Sequence, residues 1–108
     1  MAQDFRNALF RQIGTSDQAL LAGGNYDAVI GIRCCNILTT TIAVDVKIAK
    51  SGADYFLAKG VSIPPNSAIE LIQGGAKIVL DSTNTLEAVS DTASSLDVTV
   101  SYIDTISS

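Results

Sequence analysis

The chain has 108 residues, 17 % of them charged and 47 % hydrophobic, which is the size and make-up of one packed domain and excludes a disordered chain. A net charge of −4 and a pI near 4.4 argue against a nucleic-acid partner, since affinity for a phosphate backbone comes from lysine and arginine displacing counterions. No stretch has the apolar length that a bilayer-spanning helix needs, and the opening Met1-Ala2-Gln3-Asp4-Phe5-Arg6-Asn7 has no apolar segment behind a positive start. A soluble protein made in the cytoplasm, with no membrane partner, is therefore expected.

The first segment is ambiguous. Phe5, Leu9 and Ile13 fall at i, i+4 and i+8, a helical spacing, yet Phe10, Arg11 and Gln12 also fit an extended strand, and Gly14 stops either. Residues 17–22 admit the same two readings. Residues 1–22 are expected to form an N-terminal arm whose conformation depends on a partner, ahead of a single domain at 23–108.

From there the period is two residues, the mark of strands with one face in a core. Residues 28–35 place Ile30, Ile32 and Cys34 inward, opposite Val29, Gly31, Arg33 and Cys35. Residues 42–48 alternate Ile42, Val44, Val46 and Ile48 with Ala43, Asp45 and Lys47. Shorter strands are expected at 55–59, 68–72, 77–80 and 86–90. The last, with Leu96, Val98, Val100 and Tyr102 against Asp97, Thr99 and Ser101, is long enough to be central.

Turn chemistry separates these runs: Gly23-Gly24, Ser51-Gly52-Ala53-Asp54 at hairpin spacing, Pro64-Pro65-Asn66-Ser67, Gly74-Gly75 and Asp81-Ser82-Thr83-Asn84. The pattern predicts an all-β fold, an antiparallel β-sandwich of about seven or eight strands, Ig-like or jelly-roll-like, with an N-terminal arm.

Residue types narrow the chemistry. With no histidine, Ser-His-Asp and Cys-His catalysis are excluded. Two glutamates, no tryptophan, and acids placed at turns or outward strand positions speak against a paired-carboxylate glycosidase. The adjacent Cys34 and Cys35 point to opposite faces of a strand, so two free thiols are expected, one buried and one facing out, with no metal bound. Asp81 and Asn84 could cradle a hard cation, but Asx hydrogen bonds closing a turn account for them better. No enzyme activity and no cofactor are expected.

What remains is contact. A domain of this size buries only about 60 to 68 % of its unfolded surface, and the edges of an open sandwich need cover. Phe5, Leu9 and Phe10 are an apolar payload that either packs on its own sandwich or inserts into a neighbour. Arg33 faces outward, on a face that is either partly covered by a partner or simply exposed. The expected assembly interface is Phe5, Arg6, Leu9, Phe10, Ile13 and Arg33.

Asp4-Phe5-Arg6-Asn7, Ile13-Gly14-Thr15-Ser16 and Ile32-Arg33-Cys34-Cys35-Asn36 resemble a group of short virion structural proteins of marine tailed phages, including those of cyanobacteria. So do the run from Tyr55-Phe56-Leu57-Ala58-Lys59-Gly60 through Val61-Ser62-Ile63-Pro64, then Lys77-Ile78-Val79-Leu80, and Ser95-Leu96-Asp97-Val98-Thr99-Val100-Ser101-Tyr102. The group usually has a hydrophobic residue before the asparagine where this chain has Cys34-Cys35. The resemblance implies a homo-oligomeric, many-copy virion component with other virion proteins as partners. A capsid decoration or cement protein is the leading expectation and a neck or tail component the alternative. From another class comes a carbohydrate-binding sandwich for host attachment, using Tyr26, Tyr55 or Tyr102.

Overall fold

The alternating pattern becomes nine strands in a computed structural model, which describes residues 5–22, 27–72 and 77–104. In chain order they are β1 (Phe5–Ile13), β2 (Gln18–Ala22), β3 (Asp27–Asn36), β4 (Ile42–Lys50), β5 (Ala53–Ile63), β6 (Ala68–Glu70), β7 (Ile78–Leu80), β8 (Thr85–Ser90) and β9 (Leu96–Ile103). Every pairing is antiparallel. One sheet runs β1-β9-β3, with β6 and β7 sharing the far side of β3; the other runs β2-β8-β4-β5.

The connectivity is that of one long hairpin rolled on itself. β4 pairs with β5, β3 with β6 and β7, β2 with β8, and β1 with β9, so the two halves of the chain meet in reverse order. Rolling then adds the β3–β9 and β4–β8 ladders. This is a jelly roll rather than an Ig-like sandwich. The closed end of the hairpin is Ser51-Gly52, where both residues have positive φ (53° and 81°) between the paired Lys50 and Ala53. That is the two-residue turn whose twist matches its flanking strands, and glycine takes its second position without strain.

The core lies between the sheets. Ile13, Val29, Ile32, Cys34, Leu80, Leu96, Val98 and Val100 face Leu20, Ile42, Val44, Val46, Ile63, Leu86 and Ala88, all buried. The inward faces of β4 and β9 follow the expected alternation, with Ile48 and Tyr102 half-buried against the core.

The phase of β3 differs from the expectation. A bulge between Val29 and Gly31 turns Val29 fully inward and leaves Ile30 half-buried, because one extra residue reverses the side-chain parity before it.

Residues 5–22, within the expected arm, supply an outer strand to each sheet: β1 satisfies the free side of β9, and β2 that of β8. Ile13 and Leu20 are buried in the core, and Ala8, Phe10 and Leu21 pack against it. Residues 1–4, Gly23-Gly24 with Tyr26, and Gly74-Gly75 lie outside the described residues.

Four connections, at residues 14–17, 37–41, 64–67 and 91–95, meet at one end and interlock. Asn36 N–H donates to the Ser67 carbonyl (2.8 Å), Ile37 N–H to Ser95 (3.0 Å), Asn66 N–H to Leu38 (3.1 Å) and Ser90 N–H to Gly14 (2.9 Å). The side chain of Asn36, fully buried, centres this knot. Its amide nitrogen reaches the carbonyls of Thr40 (2.7 Å), Ile63 (3.0 Å) and Pro64 (3.1 Å), and its oxygen accepts from Leu38 N–H (2.9 Å). Buried carbonyls in turns need such partners, and one asparagine serves three segments at once.

Removing that amide strands the carbonyls it satisfies. Asn36→Ala is expected to lower unfolding free energy by about 2–4 kcal/mol in a urea titration, beyond a surface substitution. The cysteines are free, Cys34 fully buried and Cys35 half-buried. Burial first, and then the nearby Glu70 carboxylate, push the Cys34 thiol up to about 12. An aromatic disulfide reagent at mildly alkaline pH should label one thiol of the native protein and both after denaturation.

Candidate assembly surface

Strand parity and register together build the outer face of the β1-β9-β3 sheet. Phe5 pairs with Ile103, Ile103 with Ala28, and Ala28 with Val79, so these four side chains form one apolar row across the sheet. Strands are spaced about 4.8 Å apart, giving a row on the order of 14 Å long. Phe5 is 76 % exposed and Val79 57 %, whereas Ile103 is half-buried and Ala28 only 4 % exposed, so the row is open at its two ends and covered in the middle. Four residue pairs further along the sheet lies a second row, Leu9–Thr99–Arg33–Glu70, with Leu9 66 % exposed. Between them is the small, polar Asn7–Ser101–Gly31 row.

Of the six residues expected at an interface, the structure brings Phe5, Leu9 and Arg33 onto this face. Phe10 points the other way, half-buried against the core, and Ile13 is a core residue. Arg6 ties the start of β1 to the end of β9 through an ion pair of its Nε with Asp104 Oδ2 at 2.9 Å. Its partly exposed groups make this worth about 0.2–1 kcal/mol. Arg33 Nε lies 3.9 Å from Glu70 Oε1. The Glu70 carboxylate also accepts from Ile32 N–H (2.8 Å), filling the gap between β6 and β7 on the edge of β3.

Sequence reasoning did not single out Val79, Ile103 or Ala28 as surface partners of Phe5. Their parity was legible, but their alignment depends on three ladders between segments distant in the chain. Tyr55, Phe56 and Leu57 on β5 are likewise exposed. Tyr55 stands beside Ile48, Lys50 and Asn84 over a shallow depression of about 380 Å³, and Tyr102 is half-buried against the core.

The outer face of the other sheet holds a charge cluster. Lys47 points outward as the alternation requires, yet its side chain is only 8 % exposed. Its Nζ donates to Asp17 Oδ2 (2.9 Å) and Asp54 Oδ2 (3.0 Å), and the Phe56 ring, with Lys59 Nζ at 4.3 Å from its centre, lies alongside. Hydrogen bonds to Asp17 and then Asp54 raise the Lys47 pKa above its ordinary value, against the opposing pull of burial. One lysine thus joins the β1–β2 connection to β4 and β5.

At the Asp81–Asn84 turn, Asp81 Oδ1 accepts from Thr83 N–H and Oγ1–H, both at 2.9 Å, and Asn84 Oδ1 accepts from Asp81 N–H. These bonds to Thr83 hold the Asp81 carboxyl below its usual range, as an Asx-closed turn should. Among the described residues no group of three or more Cys, Asp or Glu side chains is arranged to hold a metal ion. No helix is long and apolar enough to cross a membrane among the described residues. No protein-family model matches the chain, and no curated protein matches it significantly.

The Lys47 cluster fixes the sign of an alkaline effect. A lysine whose folded pKa is raised contributes stability that is complete below its unfolded value, 10.5, and is lost as pH climbs from there toward the folded value. The stability difference between wild type and Lys47→Met should therefore shrink as pH rises above that point. Paired urea titrations at neutral pH and near pH 11, with an unchanged difference as the contrary result, check this.

Proposed function

We propose that this protein is a structural component of a tailed-phage virion, a capsid decoration or cement protein acting through subunit interfaces. The observation that carries the reading is the apolar Phe5–Ile103–Ala28–Val79 row lying across the outer face of one sheet, with Phe5 and Val79 well exposed at its two ends and Leu9 exposed beyond the polar Asn7 row. On an acidic chain, large apolar side chains left exposed on one sheet face mark a place for another protein rather than for water.

Two further points support it. The sequence resembles short virion proteins of marine tailed phages over nearly its whole length, and the jelly roll is an architecture that viral shells use, alongside lectins and cupins. Fold alone does not choose among those; the exposed Phe5, Leu9 and Val79 favour assembly. In this role the sandwich is a rigid block. Its outer face seats on neighbouring virion subunits, and buried interface area resists internal pressure.

Copy number decides the location. Quantitative mass spectrometry of purified particles should find on the order of hundreds of copies per virion, as a capsid lattice requires, whereas a ring at the neck would give about a dozen or fewer. Absence from washed particles, or glycan binding by the isolated protein with no incorporation, would overturn the assignment.

A further inference from the structure

The four sheet edges are not equivalent. An unpaired edge is a template for another strand, and proteins blunt such edges with short strands, bulges and charge. Here β2 has five residues and a bulge between Ala19 and Leu21. The edge formed by β6 and β7 is split into two three-residue pieces, with Glu70 capping the gap. β5 departs twice from regular pairing with β4, and at one of these sites Gly60, with φ of +63°, donates its N–H to Asp45 Oδ1 at 2.6 Å.

β1 carries charge in Arg6 and Arg11 but is neither short nor bulged over most of its length. Its pairing with β9 is regular from Phe5 to Phe10, and its irregularity comes only afterwards, where Gln12 adopts a φ of 55° and gives its N–H to Asp97. Among the described residues, the two most exposed large apolar side chains, Phe5 and Leu9, sit on this strand.

We infer that β1 is a self-complementary edge, on which a second copy of this chain adds its own β1 antiparallel about a two-fold axis at Asn7. In that register Phe5 lies opposite Leu9 of the second copy and Leu9 opposite its Phe5, with the two Asn7 side chains between them. Both exposed apolar groups are covered by direct cross-strand pairs, aromatic against aliphatic, which are among the favourable ones. Arg6 falls opposite Ala8, so no like charges face each other, and each Arg6 is already held by Asp104 of its own chain. The symmetry is isologous and closes at two, which explains how an exposed regular edge avoids open-ended growth. Pairing fuses the two β1-β9-β3 sheets into one, and the apolar row continues without a break from Val79 through Phe5 to the second copy's Leu9.

This inference names one partner for the assembly face proposed above; it rests on that reading for its purpose but not for its geometry. Sedimentation equilibrium of the full chain at micromolar concentration should give twice the chain mass, and Leu9→Asp should bring it to the monomer mass with an unchanged circular dichroism spectrum. Should Leu9→Asp not fold, cross-linking decides. In a Cys35→Ser background, Asn7→Cys should form a disulfide-linked dimer on mild oxidation, because the axis sets the two residues face to face. Val79→Cys, exposed on the opposite edge of the same sheet, should not.

A monomeric wild type, or Val79→Cys linking as readily as Asn7→Cys, overturns the two-fold. If that monomer still enters particles in many copies, the assembly reading stands without it. A dimer absent from particles supports the two-fold and removes the virion role.

Discussion

The two-residue turn at Ser51-Gly52 is the constraint on which the other pairings depend. It sets Lys47 to Lys50 against Ala53 to Phe56, and two irregularities in β5 then carry the pairing on to Val46, Val44 and Ile42, whose alternation a slip of one residue would turn from the core to the surface. Once that register is set, each successive pair of segments outward along the chain has only one partner left. The rolled hairpin then brings the first and last described strands together as neighbours. Most ladders join residues far apart in sequence, which makes slow folding the expectation for this topology.

The two ends of the sandwich divide the labour. At one, the four connections are tied by backbone hydrogen bonds and by the amide of Asn36, so polar groups that turns would otherwise strand are satisfied. At the other lie the apolar row and the start of β1. On the opposite sheet Lys47 links a connection to two strands, an arrangement in which partly exposed carboxylates keep the lysine charged at low solvent exposure. Cross-linking polar contacts gather in the knot and the Lys47 cluster, and the most exposed apolar side chains among the described residues, Phe5 and Leu9, lie on the face that neither of them touches.

Much of the fold was legible, for a specific reason. In 42–48 and 96–102 one face meets the opposing sheet and the other meets polar surroundings, so the two-residue period is clean. It fails where the physics departs from that case. β1 carries apolar groups on both faces and ends in a bulge at Gln12, so its residues fit a helix as well as a strand. In β2 the bulge sends both Leu20 and Leu21 toward the core, and in β3 it exchanges the roles of Val29 and Ile30. The surface was legible only residue by residue. Phe5, Leu9 and Arg33 read as outward or unplaced groups, but Phe10 and Ile13 are claimed by the core, and the row through Val79 exists only because β7 docks on β3. Asn36 was not singled out, since its bonds to Leu38 and Thr40 read as an ordinary turn and the carbonyls that make it a knot, those of Ile63 and Pro64, lie 27 and 28 residues away.

Phe5 opposite Ile103 has a mechanical consequence. The two strands run antiparallel and their outer ends leave the sandwich side by side, so tension drawing those ends apart loads the β1–β9 ladder one hydrogen bond at a time, as a zipper. Opposed pulls along β9 and β3 instead load many bonds of their ladder together, in shear. The same block is therefore weak along one direction and strong along another.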